Sequence, residues 1–175
     1  MQVRVATLND ARSIAEIHVA AWRAAYQGLM PQTFLDELSV EKRVELWDRY
    51  LSAPGARTTL VAEAVDRLAG FCVFGASRDQ DVNVAAVGEL IAINIHPAFW
   101  GRGFGGSLCE RLWSEAPVRG WKEVTLWVLH ENARARRFYE RAGFVPDGAE
   151  KRTSKLVGTP LHEIRYRRPV APGPH

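Results

Sequence analysis

Four of the six residues from Gly101 to Gly106 are glycine, and the other two are Arg102 and Phe104. Without Cβ atoms in the way, consecutive backbone N–H groups in such a run can converge on an anion. Arg102 adds a full positive charge. Upstream, Glu89-Leu-Ile-Ala-Ile-Asn-Ile95 reads as a buried strand, stopped by Pro97. Downstream, Leu108, Cys109, Leu112, Trp113 and Ala116 recur at helical spacing, so the loop opens a helix. A strand, a glycine loop and a helix N-terminus together make an anion site, because unpaired N–H groups and the helix dipole both favour negative charge. Gly101, Arg102, Gly103, Phe104, Gly105 and Gly106 are therefore candidates for holding a phosphate.

The kind of phosphate is not set by the glycines alone. Gly101-Arg-Gly103-Phe-Gly-Gly106 satisfies G-x-G-x-x-G, with Glu123 or Glu131 available as the acidic residue that a dinucleotide site places further on. That pattern expects its first glycine directly at the strand end, whereas Pro97 to Trp100 intervene here, and too little chain follows for two mononucleotide-binding halves. A P-loop is excluded because no Gly-Lys-Ser/Thr triplet occurs.

Both flanks of the loop fit another pattern. Ile95-His-Pro97 with Trp100-Gly-Arg-Gly103-Phe-Gly105 resembles the acyl-CoA pyrophosphate signature of the GNAT N-acetyltransferases, Val/Ile-x-Pro followed by Q/R-x-x-G-x-G/A. Trp100 stands where that signature has Gln or Arg, and Arg102 is the candidate replacement for the missing side-chain contact. Downstream, Asn132-Ala-Arg-Ala-Arg-Arg-Phe-Tyr139-Glu-Arg-Ala-Gly143-Phe144 resembles the family's N-x-x-A-x-x-x-Y-x-x-x-G-F element, with the strand Val124 to Leu129 in between.

The resemblance implies an α/β fold: a mixed, mostly antiparallel sheet with helices on both faces and with strands 4 and 5 splayed apart. It implies acetyl-CoA as co-substrate, its pantetheine arm pairing with backbone groups of Ile93, Asn94 and Ile95 and contacting Asn132. The implied reaction is direct attack by a primary amine on the thioester within a ternary complex. Tyr139 matches the family tyrosine that protonates the departing thiolate. Trp22 and Tyr26, one turn apart on the first helix, are expected to flank the acceptor. The acceptor would be a small molecule or a peptide, and a homodimer is consistent with the family. A non-catalytic acyl-CoA-binding module is the alternative.

Such a transfer requires a neutral amine, and an alkyl amine has a pKa near ~10, so a base helps. Glu89, a carboxylate entering an otherwise apolar strand, is the candidate base, directly or through a water; His130, Glu131 or a water chain could serve instead. Each of these residues also has a plain structural role. Tyr139 lies on the helical stripe Ala135, Phe138, Tyr139 and Ala142 and could be core; Asn132 could simply cap its helix; Trp22 and Tyr26 could be packing; Glu89 could be an exposed residue at a strand start.

The remaining features set boundaries. At 175 residues and 47% hydrophobic content the chain is a single globular domain, expected over 1–168 with a frayed tail at 169–175. Cys72 and Cys109 fall in apolar contexts and read as buried thiols. The five histidines show no metal spacing, and no metal is expected. The net charge of +3 is dispersed and suits a polyanionic coenzyme, so neither nucleic-acid binding nor membrane association is expected, and the location expected is the cytoplasm. The element order is β-α-α-β-β-β-α-β-α-β-β, with a capping-box start at Thr7 to Asp10, a helical stretch from Pro31 to about Leu51 broken near Leu38-Ser39, and a hairpin about Val65 to Arg67.

Overall fold

Asp10 organises the beginning of the fold. Its carboxylate accepts hydrogen bonds from the backbone N–H and hydroxyl of Thr7, at 2.7 and 3.0 Å, and from the Arg4 guanidinium, at 2.7 and 2.9 Å. The turn before the first helix is thereby closed and tied to the first strand. Hydrogen bonds from Arg4 hold the Asp10 pKa at about 2.

The computed structural model describes residues 1–53, 55 and 57–171. Strand β1 (Gln2–Val5) leads through a 3₁₀ turn to α1 (Ala11–Ala25), α2 (Gln32–Asp36) and α3 (Val40–Ser52). Strands β2 (Thr58–Glu63), β3 (Leu68–Ala76) and β4 (Val87–Ile95) follow. Then come α4 (Phe104–Glu115), β5 (Glu123–Leu129), α5 (Ala133–Arg141), β6 (Val145–Thr153) and β7 (Leu161–Pro169). The expected break near Leu38-Ser39 is present: α2 stops at Asp36, and the Ser39 hydroxyl caps α3 by accepting from Lys42 N–H at 3.3 Å. The hairpin falls between β2 and β3, as its polar turn predicts. The last strand reaches Pro169, and Val170 N–H donates to Lys122 at 2.8 Å, so the start of the expected tail is pinned to the sheet; 172–175 lie outside the described residues.

The seven strands form one sheet in the order β1-β2-β3-β4-β5-β7-β6. Every neighbouring pair is antiparallel except β4 with β5. Helix α4 covers one face, where Leu108 and Leu112 pack with Phe74, Leu90 and Leu126; Phe138 and Tyr139 of α5 pack against the same cluster. Helices α1 and α3 cover the other face, where Ile14 and Trp47 pack with Phe71 and Val73. This is the mixed α/β arrangement expected from the sequence. Among the described residues no helix is long and apolar enough to cross a membrane.

The parallel pair is short. It holds only at Val87, Gly88 and Glu89 against Glu123, Val124 and Thr125, although β4 continues to Ile95 and β5 to Leu129. Just beyond the last paired position the β3–β4 register slips, from Phe74 opposite Leu90 to Val73 opposite Ala92, leaving Ile91 as the extra residue. An extra residue of this kind bends its strand and increases the twist. The two strands therefore fork. Gly88 sits in the crotch, where a Cβ would lie 2.2 Å from the Trp121 ring. Gly88→Ala is accordingly expected to overpack the fork and lower stability by about 1–3 kcal/mol, read from chemical denaturation.

Candidate active site

The fork encloses a cavity of about 530 Å³. Its walls are Ile93, Asn94 and Ile95 of β4, the loop from Gly101 with the first turn of α4, Asn132, Arg134, Phe138 and Tyr139 from the α5 end, and Ala21, Ala25 and Tyr26 of α1.

The glycines at one end have distinct roles. Gly101 and Gly103 adopt φ of +73° and +87°, a region that side-chain-bearing residues rarely enter. Gly103 is the cap of α4, its carbonyl accepting from Ser107 N–H at 3.1 Å. At Gly105 a Cβ would meet the Phe138 ring at 3.0 Å, so this glycine lets α4 pack closely on α5. At Gly106 a Cβ would meet nothing within 4 Å. The first N–H groups of α4 have no intrahelical partner and this end of the helix lines the cavity, which suits a bound phosphate.

Phe104 lines this cavity and stacks edge-on against Phe99, with centroids 5.4 Å apart. Arg102 does not line it. Its guanidinium lies over the opposite Phe99 contact, 5.6 Å from the ring, and faces a separate depression bounded by Met1, Glu63 and Arg67. The expected compensation for Trp100 is thus not supplied by Arg102, because the tight turn directs its side chain to the other side of the loop. Trp100 donates its indole N–H to the Ile95 carbonyl at 2.7 Å, and the Arg134 guanidinium lies 3.1 Å from the Trp100 ring centroid. Ile95 therefore reaches the cavity with its carbonyl already hydrogen-bonded. Sequence reasoning named neither Trp100 nor Arg134 as a pair, since they lie on separate elements.

Tyr139 and Tyr26 also line the cavity. Burial, then the neighbouring Tyr26, pushes the Tyr139 phenol well above its ordinary value. Tyr26 is pushed up to about 12 by burial and by nearby Glu163. Both phenols therefore keep their protons throughout the physiological range. Asn132 holds two positions at once: its side-chain oxygen caps α5 by accepting from Ala135 N–H at 3.1 Å, and it lines the cavity. Trp22 does not line it. It packs between His18, Tyr26 and Phe34, with centroids 5.1, 5.1 and 6.3 Å away, and buttresses Tyr26 from behind.

Glu89 lies on β4 at the fork and is 1% exposed, not a solvated strand end. Its carboxylate accepts from the Arg78 backbone N–H and Nε, both at 3.0 Å, and from the guanidinium terminus of Arg78. Burial alone would raise its pKa, but the hydrogen bonds from Arg78 outweigh burial and lower it. Glu89 is absent from the cavity wall. Through its hydrogen bonds from Arg78 the carboxylate anchors the loop after β3. Arg165 holds the same loop through Asp79 and Asp81, at 3.1 and 2.7 Å, and reaches Asp147 at 2.7 Å.

The remaining nucleophiles and ligands are unremarkable in chemistry. Cys72 and Cys109 are free and buried, and burial pushes Cys109 up to about 12, so its thiolate is not available. His130, Glu131 and His162 offer ligand atoms within 4.8 Å of one another, and the two imidazoles stack at 15°.

Comparison with known proteins agrees with this geometry. The model described as the Acetyltransferase (GNAT) family matches residues 11–144. A probable N-acetyltransferase of Mycobacterium tuberculosis is 26% identical over 179 aligned residues, covering 99% of this chain and 97% of that protein. Mycothiol acetyltransferase of Beutenbergia cavernae is 44% identical over 62 residues, only 35% of this chain and 21% of that protein. The crystal structure of PaiA N-acetyltransferase from Thermoplasma acidophilum in complex with coenzyme A superposes with a TM-score of 0.73 at 19% identity, covering 96% of this chain and 98% of that one.

Replacing the buried anion tests the assignment of Glu89. Glu89→Gln is expected to lower stability by about 1–3 kcal/mol at pH 7, in urea denaturation. Because the folded pKa is lowered, the carboxylate's contribution is present above the unfolded value of 4.5 and lost as pH falls through the folded one. The gap between wild type and variant should therefore close below pH 4.5.

Proposed function

The chain belongs to the GNAT acetyltransferase family, and from that membership we propose that it transfers an acetyl group from acetyl-CoA to a primary amine of a small molecule or peptide. The observation that carries this reading is the forked cavity, whose wall brings together the glycine loop, the β4 edge and Tyr139. A coenzyme with a diphosphate, an extended amide-bearing arm and a thioester fits that sequence of surfaces. The coenzyme seen with PaiA supports the choice of CoA.

Acetyl-CoA supplies the thioester; the chain supplies position and proton. The α4 N-terminus and the glycine loop hold the diphosphate. The unpaired edge of β4 at Ile93 offers backbone groups to the arm and an N–H to polarise the carbonyl. The amine nitrogen forms its bond to the carbonyl carbon as the carbon–sulfur bond breaks. The proton lost by the amine passes to water, since Glu89 is engaged by Arg78. Tyr139 gives its hydroxyl proton to the departing sulfur. Burial raises the phenol, so Tyr139 holds its proton until the thiolate forms beside it. Because both substrates are bound together, no enzyme nucleophile is required, consistent with the inert Cys109.

The test is free-thiol release from acetyl-CoA across a panel of primary amines. Thiol release that depends on an amine supports transfer; coenzyme binding without release for any amine supports a non-catalytic module instead. Tyr139→Phe should lower kcat by about a hundredfold with little change in CoA affinity. An unchanged kcat removes Tyr139 from the mechanism.

A further inference from the structure

The glycine loop sends no charged side chain of its own into the cleft, because Arg102 faces the opposite depression. We propose that Arg134, lying over Trp100, is the side-chain clamp for the coenzyme's diphosphate, a role that rests on the acetyl-CoA reading above.

Four features of the site support this assignment. The guanidinium carbon of Arg134 lies over the Trp100 ring, 3.1 Å from its centroid. A stacked guanidinium keeps its N–H donors in its own plane, pointing outward from the ring edge and free to bind phosphate oxygens. The indole is itself fixed, since its N–H donates to the Ile95 carbonyl at 2.7 Å, so the surface under Arg134 is referenced to the β4 edge. Finally, Arg134 lines the same cavity as Gly101, Gly103 and Gly106 and makes no ion pair with a carboxylate among the described residues. Its charge is uncompensated where the α4 N-terminus opens.

Trp100, which departs from the Gln or Arg of the resembled signature, therefore acts at one remove. It gives up a polar contact of its own and instead presents a flat platform on which a residue from α5 delivers the charge. Arg134 binds the end of the coenzyme remote from the reacting carbonyl, and Trp100 is the positioning residue beneath it.

The experiment is calorimetric titration of the full chain with CoA, and separately with pantetheine, which lacks the diphosphate. Arg134→Ala and Arg134→Gln should each weaken CoA binding about tenfold and leave pantetheine unchanged. Added salt should weaken CoA binding to wild type more than to Arg134→Gln. Trp100→Leu should cost about as much as Arg134→Ala, and the double variant little more than either, because removing the platform displaces the charge. Arg102→Ala should stay within about twofold of wild type. An unchanged Kd for CoA in the Arg134 variants overturns the clamp, as does an equal loss for pantetheine or a multiplicative loss in the double variant. The Arg134 side chain is exposed, so its variants carry the test even if Trp100→Leu folds poorly. Failure of wild type to bind CoA overturns the coenzyme reading and the clamp with it.

Discussion

Two parallel strands that cease to pair after Glu89 and Thr125 set the terms for the rest of this molecule. A strand edge left open inside a fold presents backbone N–H and C=O groups that cost free energy unless something satisfies them. Here the Trp100 indole takes the Ile95 carbonyl, and the remaining edge at Ile93 faces the cavity. An extended ligand with its own amides is the natural complement. The opening is enforced from below: the extra residue at Ile91 bends β4 away, and Trp121 packs against Gly88 at the point where the strands still touch.

The charges around the fork serve two different ends. On the cofactor side, unpaired N–H groups of α4 and the guanidinium of Arg134 create a positive pole. On the face carrying Glu89 and Arg165, the charges are consumed in structure: Arg78 engages Glu89, and Arg165 bridges Asp79, Asp81 and Asp147. These pairs fix the segment after β3. Acid conditions should loosen it, since a lowered carboxylate pKa lends stability only above that pKa.

The local features were legible in the sequence and the long-range ones were not. Glycine at 101 and 103 is demanded by positive φ, and Pro97 and the Asn132 cap act on their immediate neighbours, so the loop and both flanking helices could be read from short windows. The hairpin and the break at Ser39 are likewise local. Splaying was implied by family resemblance alone, because nothing in the composition of β4 or β5 says where their pairing ends. Glu89 was read as a candidate base because a carboxylate in an apolar strand is visible in sequence, while its partner Arg78, across the loop, is not. Arg102 was placed at the phosphate because it lies within the loop, yet a turn has no periodicity from which to read the side its residues face. The His18 ring is buried among Trp22, Trp47 and Phe71, its Nδ1 accepting from the Trp47 indole at 3.4 Å; this contact, too, joins helices that the sequence cannot place side by side.

Hydrogen–deuterium exchange with and without acetyl-CoA, resolved to short peptides, tests the central claim that the fork is the coenzyme site. The account predicts protection confined to the β4 edge around Ile93 to Ile95, the loop and first turn from Gly101 to Ser107, and the start of α5 at Asn132. Unchanged exchange in those segments, or protection only in the separate depression beside Met1, Glu63 and Arg67, would contradict it.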